Sequence, residues 1–187
     1  MTEPRARGAL ARWSRALRDD RARLRRRAIP LALLGMGLAV TIALPPKPLL
    51  VWNASASAPI GLYSVARADG VEPGEMVIAW APARDRRLAA ERRYLPLGVP
   101  LVKRVAAIAG DEVCALGQEI FINGRWTAER RIGDARGRPL PWWTGCLRLH
   151  GGQLFLLMNN PASFDGRYFG VTEGADVVGR ARLIWRR

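Results

Sequence analysis

Lysine and histidine are nearly absent from this chain. Of its 30 basic residues only Lys47 and Lys103 are lysines, and His150 is the single histidine. Arginine keeps its proton at any physiological pH, so side chains able to exchange one near neutrality are few. Cysteine is scarce as well: Cys114 and Cys146 fall short of the ligand count and close spacing of a structural zinc site, and no metal or cofactor is expected. Internal repeats and low-complexity stretches are missing too. A hydrophobic content of 49% excludes a disordered or collagen-like polymer.

The charge that is present is unevenly placed. Of a net +14 over 187 residues, +7 falls before Ala28, where ten arginines outnumber three acids. Residues 28–46, AIPLALLGMGLAVTIALPP, carry no charge and are about long enough to cross a bilayer. A signal peptide would have a shorter apolar core and a small-residue cleavage site; here the run ends in Pro45-Pro46-Lys47-Pro48, where prolines disfavour cleavage and stop a helix. The reading is an uncleaved single-pass anchor with a basic cytoplasmic segment over 1–27 and an exported domain over 47–187, periplasmic in a bacterium, so that the chain sits in the inner membrane. Clustered arginines also suit phosphate, but next to an apolar span they are explained by orientation and by anionic lipid headgroups. The membrane is therefore the expected partner, and nucleic acid is not.

Beyond the span, short apolar stretches alternate with glycine, proline and aspartate: Gly61 to Ala66, Glu75 to Ala81, Pro100 to Ala109, Glu119 to Asn123, Gln153 to Met158 and Asp176 to Trp185. The Asn-Gly pair in EIFINGRW marks a hairpin turn. One helix is predicted outside the membrane, from Arg84 to Leu95, ended by Pro96 and Gly98. The fold class is thus mostly β, one domain on a single N-terminal transmembrane helix. In an oxidising compartment Cys114 and Cys146, neither beside a cation motif, read as a disulfide.

If the domain is an enzyme, its acid-base chemistry has few possible carriers. His150, beside two glycines in LRLHGGQLF, has the character of a surface turn residue. Lys103 lies in the apolar run PLVKRVAAIAG, where burial would lower its pKa and let it act as a base; equally, it could be an edge lysine reaching for solvent. Among exported serines, Ser55 and Ser57 alternate with alanines in NASASAPIG, either a polar linker or a loop whose backbone N–H groups approach a substrate carbonyl.

Three segments in order, NASASAPIGLY, PLVKRVAAIAGDEVC and NNPASFDGRYFGVTEGADVVGRARLIW, resemble the boxes of the type I signal peptidase family, membrane-anchored serine proteases with a Ser-Lys dyad. Ser57-Ala58-Pro59, the following Gly-Leu-Tyr, AAERRYLPLGVPLVKRVAA and FLLMNNPASFDGRYFG resemble its TraF-like, conjugative-transfer branch. The resemblance implies Ser57 as nucleophile, Lys103 as general base, and an oxyanion hole from the Ser55 hydroxyl and the Ser57 N–H. It further implies Ser163 as the serine that orients the lysine, and Asp165 and Arg167 as a supporting pair, with Gly110-Asp111 ending the lysine box. Implied substrates are exported proteins with small residues before the cut, a conjugative pilin or other transfer-protein precursor in particular, with the acyl-enzyme released by water or by an amine. Ser-Ala-Pro departs from the Ser-Met pattern of general leader peptidases, which remain the alternative, together with a non-catalytic subunit of a transfer apparatus.

Overall fold

The computed structural model describes residues 24–43 and 48–187. The chain divides into two units, 1–47 and 48–187. In the first, helix α1 (Leu24–Ala43) is 20 residues long, which at about 1.5 Å per residue matches the roughly 30 Å hydrocarbon core of a bilayer. By length and composition α1 fits a single-pass membrane anchor. It starts before the predicted Ala28 because Arg25 to Arg27 are good helix formers. The predicted end of the span at residues 44–46, and residues 1–23 of the basic segment, lie outside the described residues.

The second unit is mostly β. Its strands are β1 (Leu50–Asn53), β2 (Gly61–Ala66), β3 (Met76–Ala79), β4 (Leu101–Ala107), β5 (Glu112–Leu116), β6 (Glu119–Ile122), β7 (Arg125–Glu129), β8 (Gly145–Arg148), β9 (Phe155–Leu156) and β10 (Val177–Arg186). They form a six-stranded sheet in the order β1-β2-β10-β3-β4-β9 and a four-stranded sheet in the order β7-β6-β5-β8, with every pairing antiparallel. Asn123 and Gly124 both take positive φ (51° and 73°), as the tight hairpin between β6 and β7 requires. Cys114 and Cys146, directly opposite on β5 and β8, form a disulfide.

Helix α2 (Ala83–Glu91) is shorter than predicted. Arg93 turns left-handed at φ 60°, and the Arg93 and Tyr94 N–H groups return to Ala90 O and Ala89 O, a Schellman closure that ends the helix before Pro96 can. The stretch from Gln153 to Met158 keeps only Phe155 and Leu156 as strand, although residues 154–158 are all buried. Leu154 instead makes an isolated bridge to Thr172, and the Leu157 N–H bonds the Arg104 carbonyl, so the run is held by partners on two sides and not by one long ladder.

Three buried clusters hold the domain. Val113, Ala115, Ile120, Leu149 and Phe155 lie under the smaller sheet; Val77, Ala79, Val105, Leu154 and Leu156 fill a second cluster; Ala58, Tyr63, Ile78, Val102, Met158 and Ala181 fill a third. Burying each large aliphatic or aromatic among these contributes about 1.5–3 kcal/mol. The third cluster matters most for the site, since Ala58 fastens the serine loop to it from below.

Candidate active site

Three segments far apart in the chain meet beside β4. The first is the loop between β1 and β2, where Asn53, the last residue of β1, organises the backbone. Its Nδ2 donates to the carbonyls of Ser55 (2.9 Å), Ala58 (3.1 Å) and Pro59 (3.0 Å), and its Oδ1 accepts the Ser55 N–H at 3.1 Å. Tyr63 adds a hydroxyl bond to the Pro59 carbonyl at 2.8 Å. Within the loop, Ser55 Oγ lies 3.0 Å from Ser57 Oγ and accepts the Ser57 N–H at 3.3 Å. The long distance makes this last bond weak and easily surrendered to a better acceptor.

The second segment is β4, where Lys103 sits opposite Val77 and is only 2% exposed. Its Nζ lies 3.1 Å from Ser57 Oγ and 2.7 Å from Ser163 Oγ. Among the described residues no carboxylate is within ion-pair distance of it. Burial lowers its pKa from 10.5 to about 8; of the ion pair beside it, Asp165 pulls the value up and Arg167 pushes it down. The sequence left this residue between a buried base and a solvent-seeking edge lysine, and the fold places it inside.

The third segment follows β9. Asn160 accepts the Ala162 N–H and its carbonyl takes the Ser163 N–H, making a turn that presents Ser163 to the lysine. Asp165 then caps the short helix α3 (Gly166–Phe169) by accepting from the Arg167 N–H. Its carboxylate is fully buried, pairs with Arg167 at 2.8 and 3.2 Å, and accepts the Met158 N–H at 3.1 Å. Arg167 also donates to the carbonyls of Met158 and Glu129. Gly166 allows this close fit: a Cβ there would stand 2.8 Å from the Leu156 carbonyl oxygen.

Ser55, Ser57, Lys103 and Ser163 line one cleft of about 370 Å³, which Leu101, Phe164 and Tyr168 make largely apolar. Its far wall is held by a cluster the sequence did not disclose. Tyr94 donates to Asp134 at 2.5 Å, and Arg138 pairs with the same carboxylate at 2.7 Å. The Tyr94 hydroxyl first, then the N–H groups of Arg138 and Arg136 and the Arg138 guanidinium, hold the Asp134 carboxyl far below the usual range. Asn53 is a further residue of the site, and an asparagine ahead of small residues is the ordinary sign of a side chain that bonds its own turn. His150 is exposed, pairs with Gln153, and does not line the cleft. Asp111 accepts bonds from the Ile108 N–H and from Asn123, fixing a turn away from the cleft.

A serine, an unpaired buried amine and a second serine in one apolar cleft form an arrangement suited to nucleophilic chemistry. The chain is similar to known proteins. The profile of the family described as "Signal peptidase, peptidase S26" matches residues 23–186. A probable conjugal transfer protein TraF from Sinorhizobium fredii is 30% identical over 176 residues, covering 86% of this chain and 92% of that protein. A plasmid transfer protein TraF from Escherichia coli is 33% identical over 149 residues, covering 71% and 82% respectively. Among solved structures, a signal peptidase I from Enterococcus faecalis V583 is similar at 21% identity and TM-score 0.35, covering 60% of this chain and 97% of that one. The family match spans all three segments that build the cleft, and this chain belongs to the signal peptidase, peptidase S26 family.

Proposed function

We propose that this protein is a membrane-anchored serine endopeptidase that cleaves exported precursors through a Ser57-Lys103 dyad. The observation that carries the reading is the position of Lys103: buried, without a carboxylate partner among the described residues, and 3.1 Å from Ser57 Oγ. An ammonium there would donate to both serines. The neutral amine instead keeps its donor bond to Ser163 and offers its lone pair to the Ser57 proton, which is the state a base needs.

In the reaction Ser57 Oγ attacks the scissile carbonyl carbon while its proton passes to Lys103 Nζ. Negative charge then develops on the carbonyl oxygen, and the Ser57 N–H and the Ser55 hydroxyl exchange their weak mutual bond for that oxyanion. Lys103 returns the proton to the departing amine, leaving an ester on Ser57. Water, or an incoming amine, gives its proton to Lys103 as it attacks the ester carbonyl; the bond to Ser57 Oγ then breaks and Lys103 returns the proton to that oxygen, which restores the free serine and the neutral amine. Ser163 holds the amine in line, and the Asp165–Arg167 pair holds the Ser163 segment in place without lending its carboxylate to the lysine.

Relatives that are conjugal and plasmid transfer proteins support a substrate of conjugative transfer; the resemblance of the sequence boxes adds a pilin or other transfer-protein precursor with small residues before the cut as the expected substrate, with general secretory leaders as the alternative. The arginine-rich segment ahead of α1 supports a cytoplasmic N-terminus and a periplasmic domain after residue 47. The test is cleavage of a candidate pilin precursor by the full chain in detergent, read by intact mass. Wild type should give a shortened product and Ser57→Ala none; efficient cutting of ordinary secretory precursors with the pilin untouched would reverse the substrate assignment.

A further inference from the structure

Seven residues, 54–60, separate Asn53 from Gly61, which face each other as the closing pair of β1 and β2. Three of the seven are alanines and two are serines, so few large side chains anchor the loop. Holding such a segment in one conformation costs backbone entropy at every residue. Asn53 is the residue placed to meet that cost. It is 7% exposed, and its amide group engages both ends of the loop: Ser55 on the way in, through N–H and carbonyl alike, and Ala58 and Pro59 on the way out. None of these bonds touches Ser57. They close a ring of backbone on either side of it, which leaves its hydroxyl and N–H as the groups the loop turns toward Ser55 and Lys103.

We infer that Asn53 is a positioning residue: its side-chain amide sets where Ser57 stands relative to Lys103. The inference rests on the reading of Ser57 as nucleophile. A displacement of about 1 Å in such a pair costs on the order of 100-fold in rate, because the reacting atoms leave the near-attack geometry. Asn53 lines the cleft, but its amide is taken up by the backbone of the loop and makes no hydrogen bond to Lys103, so its loss should be felt in the placement of Ser57 before the pKa of the lysine or the affinity for substrate.

The experiment uses the full chain in detergent with a peptide substrate, comparing Asn53→Ala, Asn53→Asp, Ser57→Ala and, as a core variant remote from the loop, Val113→Ala. Asn53→Ala removes all four bonds; Asn53→Asp keeps the acceptor for the Ser55 N–H and loses the donors. Both should lower kcat by about 100-fold, with KM within about threefold and the acidic limb of the pH profile unmoved. Val113→Ala should lose thermal stability with kcat within about twofold. A folded Asn53→Ala or Asn53→Asp with kcat within threefold of wild type would overturn the inference, as would a loss confined to KM or a shifted pH limb. Failure of both Asn53 variants to fold would overturn it too, since positioning requires a folded domain with a misplaced serine. Undiminished turnover by Ser57→Ala would instead sink the assignment of the nucleophile, a separate result.

Discussion

Replacing Lys103 by methionine should destroy the activity and at the same time stabilise the fold, in a way that depends on pH. The ammonium is disfavoured in the folded domain because burial lowers its pKa from 10.5 to about 8. At about 1.4 kcal/mol per pH unit, the folded state bears a cost of roughly 3 kcal/mol while the lysine is charged. The sign follows from proton counting. Below about 8 the group is protonated folded and unfolded, and the whole cost is present; between about 8 and 10.5 the folded state holds fewer protons than the unfolded, so stability rises with pH; above 10.5 the cost is gone. Methionine has nearly the same length and no charge, so at pH 7 it escapes the cost. Against this stands the loss of the bonds to Ser57 and Ser163, and for the buried Ser163 hydroxyl about 1 kcal/mol. The net is about 2 kcal/mol in favour of Lys103→Met at pH 7, some 5–8 °C in Tm for a domain of this size. Thermal unfolding of both proteins in the same detergent at pH 7, 9 and 10.5 tests this. The gap should shrink with pH and reverse near 10.5, where only the lost bonds remain. A methionine variant less stable at pH 7, or a gap independent of pH, would refute the claim that Lys103 is a charge held in an apolar site.

Peptide cleavage by the wild type should rise about tenfold per pH unit toward a plateau above about 8, as Lys103 loses its proton; Lys103→Arg should be inactive across the range, and a profile flat between pH 6 and 9 would exclude the lysine as base. Cys114 and Cys146 are 32 residues apart, so opening their disulfide should cost roughly 3–4 kcal/mol in the chain-entropy model, read by denaturant unfolding, with kcat little changed because β5 and β8 do not line the cleft. Asp134→Asn should weaken the far wall of the cleft and raise KM with a smaller effect on kcat, the reverse of the Asn53 variants, and equal losses in both constants would argue against a purely binding role. Protease added to spheroplasts should digest the β domain and spare an N-terminal tag, whereas a protected domain would invert the proposed topology.

What could be read from the sequence was whatever is local. Strand β2 was legible to the residue because Gly61 opens it and Tyr63 and Val65 alternate with Leu62 and Ser64. The β6–β7 turn was legible because Asn-Gly has few other uses. Strand β8 was not: all four of its residues are exposed, so no alternation betrays it. Strand β1 hid between the apolar span and the small-residue loop, and its pairing with β2 is what turns that loop from a linker into a fixed turn. The site followed the same division. Rarity singled out Lys103 and resemblance ordered the serines, but the link between Tyr94 and Asp134 spans 40 positions and exists only once the chain is folded.

The geometry explains why position 103 holds a lysine and not an arginine. An arginine at position 103 would remain charged whatever its surroundings, whereas a lysine there can be driven neutral by burial. Burial alone is not sufficient, because the buried carboxylate of Asp165 raises the pKa of Lys103. A carboxylate with no other partner would favour the charged lysine more strongly. Arg167 prevents this by taking both carboxylate oxygens, while the Met158 N–H takes a further lone pair. Arg167→Met should therefore do more than loosen α3. It should release Asp165 toward the lysine, move the acidic limb of the pH profile upward, and leave activity recoverable at high pH if the domain still folds. Asp165→Asn, which removes the carboxylate and keeps its shape, should move the same limb downward. Opposite shifts from two variants of one ion pair would be hard to obtain from a general loss of structure, and shifts in the same direction would mean that the pair does not set the charge state of Lys103.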